Sequence, residues 1–539
     1  MLKRRTAVLY ILMLAVMGLV IFRLYAVMSY GKAEQVLSGQ YIRRLDAAER
    51  RGMIYDRNGI PINNKKDGYI CIVDPGSCTD TVEVSEKLSE YSGLAQSEIY
   101  DRMLERVPFV IITEECFDAS GTVFYPRFEN VTLCAPHVVG YTNIDGKGIS
   151  GIEKYFNVTL SGKFAGSVRY GYMSDASGAS LENGGSCVYD NGYSENSGIY
   201  LTLDSELQSF CSELVGKTSG SGAVCVTDTE SGDILAMVSF PEFDTENVAK
   251  YLDSEKGELV NRCLAGATPG SIFKTVIAAA ALEKDASLYL REYECKGSIV
   301  TADCEVIPCH KSEGHGLIDM KEAYAQSCNP YFIDLANYIG DESIRSTAKK
   351  LGLVSECTLD GIFGFGNSIP EYSGGVSSYG GYLANLAIGQ GKTLVSPLSI
   401  CVLYSCAVTG KRQQPGLMLK ICEGERVVRE YDRKRKCENV LSEETTEYLR
   451  EMMLYCVSDG LGRDAKPKKN SAGGKTATAQ TGRYEEGKEI LNCWFCGVYP
   501  GEKPKYTICV LYSGIKNGNE AKVIFGKICD KLEDMNIKK

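Results

Sequence analysis

No basic stripe runs through this 539-residue chain, no long repeat recurs along it, and only one apolar run is long enough to concern a membrane. With 59 Lys and Arg against 69 Asp and Glu, the net charge of −10 excludes nucleic acid or another polyanion as the main partner, because such binding needs clustered cations to neutralise phosphates. The 22 cysteines follow no fixed spacing and none lies in the apolar run, which excludes a small disulfide scaffold. Several structural disulfides or a reducing environment fit them equally. What is present, 44% hydrophobic and 24% charged residues, is the composition of a globular protein. Single cores stop growing at about 250–300 residues, so two to four domains are expected.

Residues 6–22 are apolar and uncharged, and if Arg23 snorkels, the span reaches about residue 28, enough for one membrane-crossing helix. Lys3, Arg4 and Arg5 precede it, so residues 1–5 are expected in the cytoplasm and the remainder outside. A cleaved signal peptide is the alternative, but the stretch after Arg23 offers only Ala26-Val27-Met28 as a cleavage site, and an uncleaved anchor over 6–28 is favoured. Short apolar runs at 69–73 and 109–113 read as strands. Residues 174–197 are rich in Gly, Ser and Asn and read as a linker. Beyond it come a strand, an amphipathic helix capped by Asp204, and a β-hairpin turning at Thr229-Glu230-Ser231-Gly232. An Ala-rich helical middle and closing strands at 491–500 and 506–514 complete an α+β pattern, helices packed on an antiparallel sheet.

Three segments carry chemistry. Pro269-Gly270 breaks the chain before an Ala-rich helix, placing Ser271 in its first turn and Lys274 on the same face. A neutral lysine one turn away can activate a serine, and burial or a second cation lowers its pKa toward that state. Taken alone, the pair also reads as a helix cap with a surface lysine. Ser327-Cys328-Asn329 adds a hydroxyl that can relay a proton and an amide that can hold a lysine or a substrate carbonyl. From Gly473, GGKTATAQTG alternates small residues and threonines, as on a strand whose edge receives an extended peptide, although a plain Gly-rich loop is the simpler alternative. A phosphate loop is excluded for both GKT segments, since Lys469 and Leu386 stand where its first glycine belongs.

The ordered set SIFK, SCN and KTA resembles the S-x-x-K, S-x-N and K-T-G signature of penicillin-binding proteins and serine β-lactamases. RRGMIYDRNGIPI at 50–62, GISGIEKY at 148–155, SGDILAMVSFPEFD, IGQG at 388–391 and WFCGVYP resemble elements of class B penicillin-binding proteins in particular, so the likeness covers nearly the whole chain after the anchor. It implies a pedestal (dimerisation-type) domain over 29–173 and a transpeptidase domain over 198–539, both extracytoplasmic. It implies a peptidoglycan D,D-transpeptidase that cross-links stem peptides through a serine acyl-enzyme, binds β-lactams covalently and needs no cofactor. A polytopic glycosyltransferase of the membrane is the implied partner.

Carried over by position, Ser271 would be the nucleophile, Lys274 its general base, Ser327 the relay to the leaving amine, and Asn329 the group orienting Lys274 and the substrate amide. Lys475, Thr476 and Thr478 would bind the terminal carboxylate, and the backbone N–H groups of Ser271 and Thr478 would form the oxyanion hole. Ala477 departs from the family glycine and adds a methyl where substrate or β-lactam is expected to pass. The rivals are a D,D-carboxypeptidase or β-lactamase, and a β-lactam receptor that signals without turnover.

Cys304, Cys309, His310 and His315 match no standard zinc spacing, and no metal is expected. Alternation puts Cys493 and Cys496 on opposite faces of a strand, against redox catalysis there. Cys328 reads as a small buried filler, with a disulfide to Cys295, Cys304 or Cys309 as its alternative.

Overall fold

The computed structural model describes residues 2–29, 42–369 and 376–537, apart from positions 183, 195, 302–303, 433–436, 486 and 515–518. Two compact units emerge, both discontinuous in sequence: residues 1–51, 66–130 and 165–195, and residues 52–65, 131–164 and 196–539.

The first unit begins with helix α1, Leu2–Ser29. Its side chains are described only over residues 10–25, all exposed; the ends of the expected anchor, 6–9 and 26–28, lie outside them. Among the described residues no helix is long and apolar enough to cross a membrane, so the spanning helix expected over 6–28 is not carried by the structure.

Strand β1 (Ile42–Arg50) pairs with β5 (Gly166–Met173), which pairs with β6 (Ser186–Asn191). A second sheet places β2 (Lys65–Val73) between β3 (Phe109–Thr113) and β4 (Thr122–Glu129). The runs at 69–73 and 109–113 are therefore strands, paired antiparallel from Tyr69 opposite Thr113 to Val73 opposite Phe109. Strand alternation divides β2 between two cores. Cys71 and Val73 pack with Val84 and Leu88 of α2 (Thr81–Ser92) and Ile99 and Met103 of α3 (Gln96–Leu104). Ile70 and Ile72 pack with Val168, Tyr170 and Tyr172 of β5. Residues 174–197, expected as a linker, include β6.

The second unit is built on a five-stranded sheet ordered β8-β7-β11-β10-β9, where β7 is Ser221–Asp228, β8 Ile234–Phe240, β9 Gly473–Glu485, β10 Lys488–Tyr499 and β11 Tyr506–Gly514. β7 and β8 are the expected hairpin. One face of the sheet packs against α4 (Ser205–Gly216) and α10 (Glu520–Ile537) through Val224, Cys493, Phe495 and Val510. The opposite face, with Cys225, Trp494, Cys496 and Cys509, packs against α8 (Pro397–Thr409) and α9 (Glu443–Ser458), and α5 (Lys274–Lys284) and α7 (Asn329–Ile339) lie in the same core. Cys493 and Cys496 thus lie on opposite faces, as alternation requires. Asp204 caps α4 by accepting from Leu207 N at 3.2 Å. Helix α5 is buried on every side from Lys274 to Leu282, because its run of alanines lets neighbouring elements approach closely. Before it, Met53–Tyr55 pairs in parallel with Gly198–Leu201, and Asp56 ties the following turn by accepting from Asn58 N, Ile60 N and Ser205 Oγ.

Candidate active site

Ser271 lies in a 3-10 turn, Gly270–Phe273, that runs into α5, so the expected first helical turn is tighter than an α-helix. Gly270 has φ +55, and a Cβ there would meet Ala479 Cβ at 3.1 Å and Ala477 Cβ at 3.4 Å. Its N–H donates to Gly389 O at 2.9 Å, fixing the turn against the 388–391 segment. Trp494 on β10 donates from Nε1 to Thr268 O at 2.9 Å and holds the approach to the turn from the sheet side.

Lys274, one turn on, is completely buried. Its Nζ donates to Asn329 Oδ1 at 2.7 Å, Ser327 O at 2.7 Å and Ser327 Oγ at 3.3 Å. Three acceptors match the three protons of an ammonium. The longest contact is to a hydroxyl, which can turn and donate to Nζ once the amine is neutral. Burial, then the Lys475 charge, hold Lys274 well below the ordinary lysine value. Beside it Thr275 Oγ1 lies 2.9 Å from the hydroxyls of both Tyr324 and Tyr404, a buried polar knot not foreseen from the sequence.

Ser327 and Asn329 sit between two short helices. α6 (Met320–Ala325) starts with a capping box, Asp319 accepting from Glu322 N while the Glu322 carboxylate accepts from Asp319 N. Two residues past its end, Ser327 has φ +54, a left-handed conformation that a non-glycine residue keeps only when its surroundings demand it. Cys328 N donates back to Ala323 O at 2.9 Å, and Pro330 in the first turn starts α7. Asn329 Nδ2 donates to Pro308 O at 3.2 Å, leaving Oδ1 to face Lys274.

Strand β9 forms the sheet edge and carries the third segment. Lys475 is buried, lies 5.6 Å from the Tyr324 ring centroid and donates to Thr476 O at 2.9 Å. Burial lowers its pKa to about 8. Thr478 is exposed and Thr476 half-buried. Ala477 is 6% exposed. Its methyl lies beside Gly270, which narrows the crowding expected of it to the floor of the site. The structure therefore joins Lys274, Ser327 and Asn329 by hydrogen bonds, adds Lys475 through its charge, and sets Ser271 one turn from Lys274.

The cysteines gather where spacing gave no warning. All 22 are free. Cys295, Cys309, His315 and Cys328 cluster with their ligand atoms within 4.8 Å of one another, whereas Cys304 is exposed and not in the cluster. A hydrogen bond with Cys328 holds the Cys309 thiol far below its ordinary pKa and pushes that of Cys328 up.

An antiparallel sheet flanked by helices, with a serine one turn ahead of a buried lysine and a second buried lysine on the edge strand, defines the α+β class of penicillin-binding serine acyltransferases. The model of the penicillin binding protein transpeptidase domain matches residues 222–530, and the chain belongs to that family, within its class B. Stage V sporulation protein D of Bacillus subtilis is 27% identical over 94% of this chain and 82% of its own length. Peptidoglycan D,D-transpeptidase MrdA of Acinetobacter baumannii is 24% identical over 87% of this chain and 78% of its own. Penicillin-binding protein 3 of Mycobacterium tuberculosis, solved with aztreonam, has the same fold at a TM-score of 0.64 and 20% identity, covering 92% of this chain and 97% of that one. Penicillin-binding protein 2 of Helicobacter pylori, solved in complex with MreC, gives a TM-score of 0.65 at 21% identity over 92% and 99%.

Proposed function

We propose that the chain is a peptidoglycan D,D-transpeptidase in which Ser271 is acylated. The observation that carries this reading is the buried Lys274 held by Ser327 and Asn329, a cation placed where its proton is easily lost. Neutral Lys274 takes the Ser271 hydroxyl proton as Oγ attacks the penultimate D-alanine carbonyl, and the backbone N–H groups of Ser271 and Thr478 hold the oxyanion. The proton passes through Ser327 to the departing D-alanine nitrogen as the C–N bond breaks. An amine of a second stem peptide then attacks the ester, giving its proton back along the same path to Ser271 Oγ. Lys475, Thr476 and Thr478 receive the substrate carboxylate, the lysine as the cation and the threonines through hydroxyls on the sheet edge.

The remaining parts of the reading follow from the sequence. The run at 6–28 anchors the chain in the membrane with its catalytic unit outside, the segment after it serves as a pedestal, and a polytopic glycosyltransferase supplies the glycan strand. Incubation of the full chain with a donor stem peptide and an acceptor amine, followed by mass analysis, tests the activity: a cross-linked product supports it, and hydrolysis alone assigns a carboxypeptidase instead.

A further inference from the structure

Both lysines of the site are completely buried, and a buried cation is costly unless something answers its charge. Lys274 Nζ meets three neutral oxygens, two from Ser327 and one from Asn329. Lys475 Nζ has one acceptor, Thr476 O at 2.9 Å, for its three N–H groups. The ionisable groups facing Lys475 are Lys274 on α5, Tyr324 on α6, Cys456 on α9 and Cys496, its cross-strand neighbour on β10. The Gly270–Phe273 turn brings no charged side chain, and among the described residues no carboxylate pairs with either lysine. Burial pushes the Cys456 and Cys496 thiols up, so neither is a counter-charge. What remains for Lys475 is the face of an aromatic ring.

That ring belongs to Tyr324, which is fully buried and reaches each of the three motifs through a different group. Its ring centroid lies 5.6 Å from Lys475 Nζ, within the range over which a ring quadrupole attracts a cation. Its hydroxyl lies 2.9 Å from Oγ1 of Thr275, the neighbour of Lys274, and Thr275 is tied at the same distance to Tyr404. Its main-chain carbonyl accepts from Ser327 N at 3.1 Å, at the turn that carries the second motif. The ring also meets that of Phe332 at 6.4 Å, edge to face, and the Phe332 centroid lies 5.6 Å from Lys274 Nζ. Burial pushes the Tyr324 phenol up, so the residue stays neutral.

We propose that Tyr324 is a positioning residue of this site: its ring holds Lys475 as a cation until the substrate carboxylate arrives, while its hydroxyl and carbonyl fix Lys274 and Ser327 in register with that lysine. The inference rests on the transpeptidase reading above, which gives Lys475 a carboxylate to receive. A ring suits this task better than an acid would. An aspartate or glutamate beside Lys475 would cancel its charge and repel the incoming carboxylate, whereas a quadrupole stabilises the ammonium and leaves its full charge for the substrate. Tyr324 itself touches neither substrate nor the reacting atoms.

The test is the pH profile of penicillin acylation by the full chain in detergent, with the ring altered in steps. Tyr324→Phe keeps the ring and should leave the falling limb near about 8, where Lys475 loses its proton, in place. Putting ring-fluorinated phenylalanines at the same position keeps the shape but drains the ring face of negative charge. Less stabilised, the ammonium gives up its proton at lower pH. The limb should therefore move down by about one pH unit for the trifluorinated ring, with the singly and doubly fluorinated rings between in order. The unfolding midpoint should not fall in step, which separates this role from a merely structural one, and the near-identical shapes let the whole series fold. A limb that stays fixed or moves up along the series, in a wild-type chain that acylates, would overturn the role of Tyr324 and leave the transpeptidase reading standing. A full chain that penicillin does not acylate would overturn both.

Discussion

Aspartate at position 329 would put a negative charge where Lys274 now meets a neutral oxygen at 2.7 Å. At an effective dielectric of about 20, unit charges at that distance attract by ~6 kcal/mol. At 1.36 kcal/mol per pKa unit this raises Lys274 by ~4 units. Part of it is returned, because the new carboxylate must be desolvated and faces the Pro308 carbonyl without a proton to donate; taking half leaves ~2 units. The sign is definite. A raised pKa keeps Nζ protonated, so at any pH below both values the neutral, proton-accepting fraction falls ~100-fold, and acylation falls with it.

The assay is the second-order rate of acylation by a fluorescent penicillin, followed from acid to alkaline pH. In the wild-type chain the rate should climb as Lys274 loses its proton and drop near about 8 as Lys475 loses its own. Asn329→Asp should move the climbing limb up by ~2 units into the falling limb, so that no pH restores the wild-type maximum. Asn329→Ala, which removes the acceptor without adding charge, should lose rate while its climbing limb stays or moves down. An Asn329→Asp enzyme with an unshifted climbing limb would refute deprotonation of Lys274 as the event that gates acylation.

Ser271→Ala should abolish covalent penicillin labelling with the thermal unfolding midpoint retained, and intact-mass detection of a stable adduct on another residue would sink the nucleophile assignment. Lys274→Ala should slow acylation ~10²- to 10⁴-fold, the usual cost of a positioned base. Lys475→Arg keeps a cation that does not titrate. Its falling limb near about 8 should therefore vanish, and persistence would assign that limb to another group. Ala477→Gly should cost about 1 kcal/mol in chemical denaturation, from the lost methyl burial and the looser strand, and alter acylation alike for small and bulky β-lactams. A gain confined to the bulky ones would place the methyl in the path of the ligand.

Much of the second unit was legible because its signals are local. The hairpin announces itself by two apolar runs around a Glu-Ser-Gly turn, α4 by Asp204 at its cap, and α5 by a run of alanines after Pro269-Gly270. Two of the three motifs were legible for a related reason: Ser271 with Lys274, and Ser327 with Asn329, each need only one turn of chain to be brought together. Less visible was the weaving of the two units. Residues 52–65 and 131–164 belong with the catalytic sheet although they lie far before it, and nothing in strand periodicity reports which sheet a short segment joins. The buried knot of Thr275, Tyr324 and Tyr404 was unreadable likewise, since its members come from three helices and each reads alone as core.

The cysteine cluster shows where local reading gives out. Searching for ligand spacing among Cys304, Cys309, His310 and His315 assumes that neighbours in sequence share a site, as they do where one hairpin supplies a pair of ligands. Here adjacency misleads. His310 directly follows Cys309 and Cys304 lies five residues before it, but the register of the short strands over 293–318 turns Cys304 outward and sets His315, across the turn, beside Cys295. Only the strand pairing, fixed by Gly297 and Gly314 at positions closed to any side chain, reveals that the side chains at 295, 309, 315 and 328 converge. The same pairing carries Pro308 to Asn329. A residue recognised from its motif is thus held in place by a segment whose chemistry is visible only after folding, which is why that segment, and not the motif alone, decides whether Lys274 meets its acceptor.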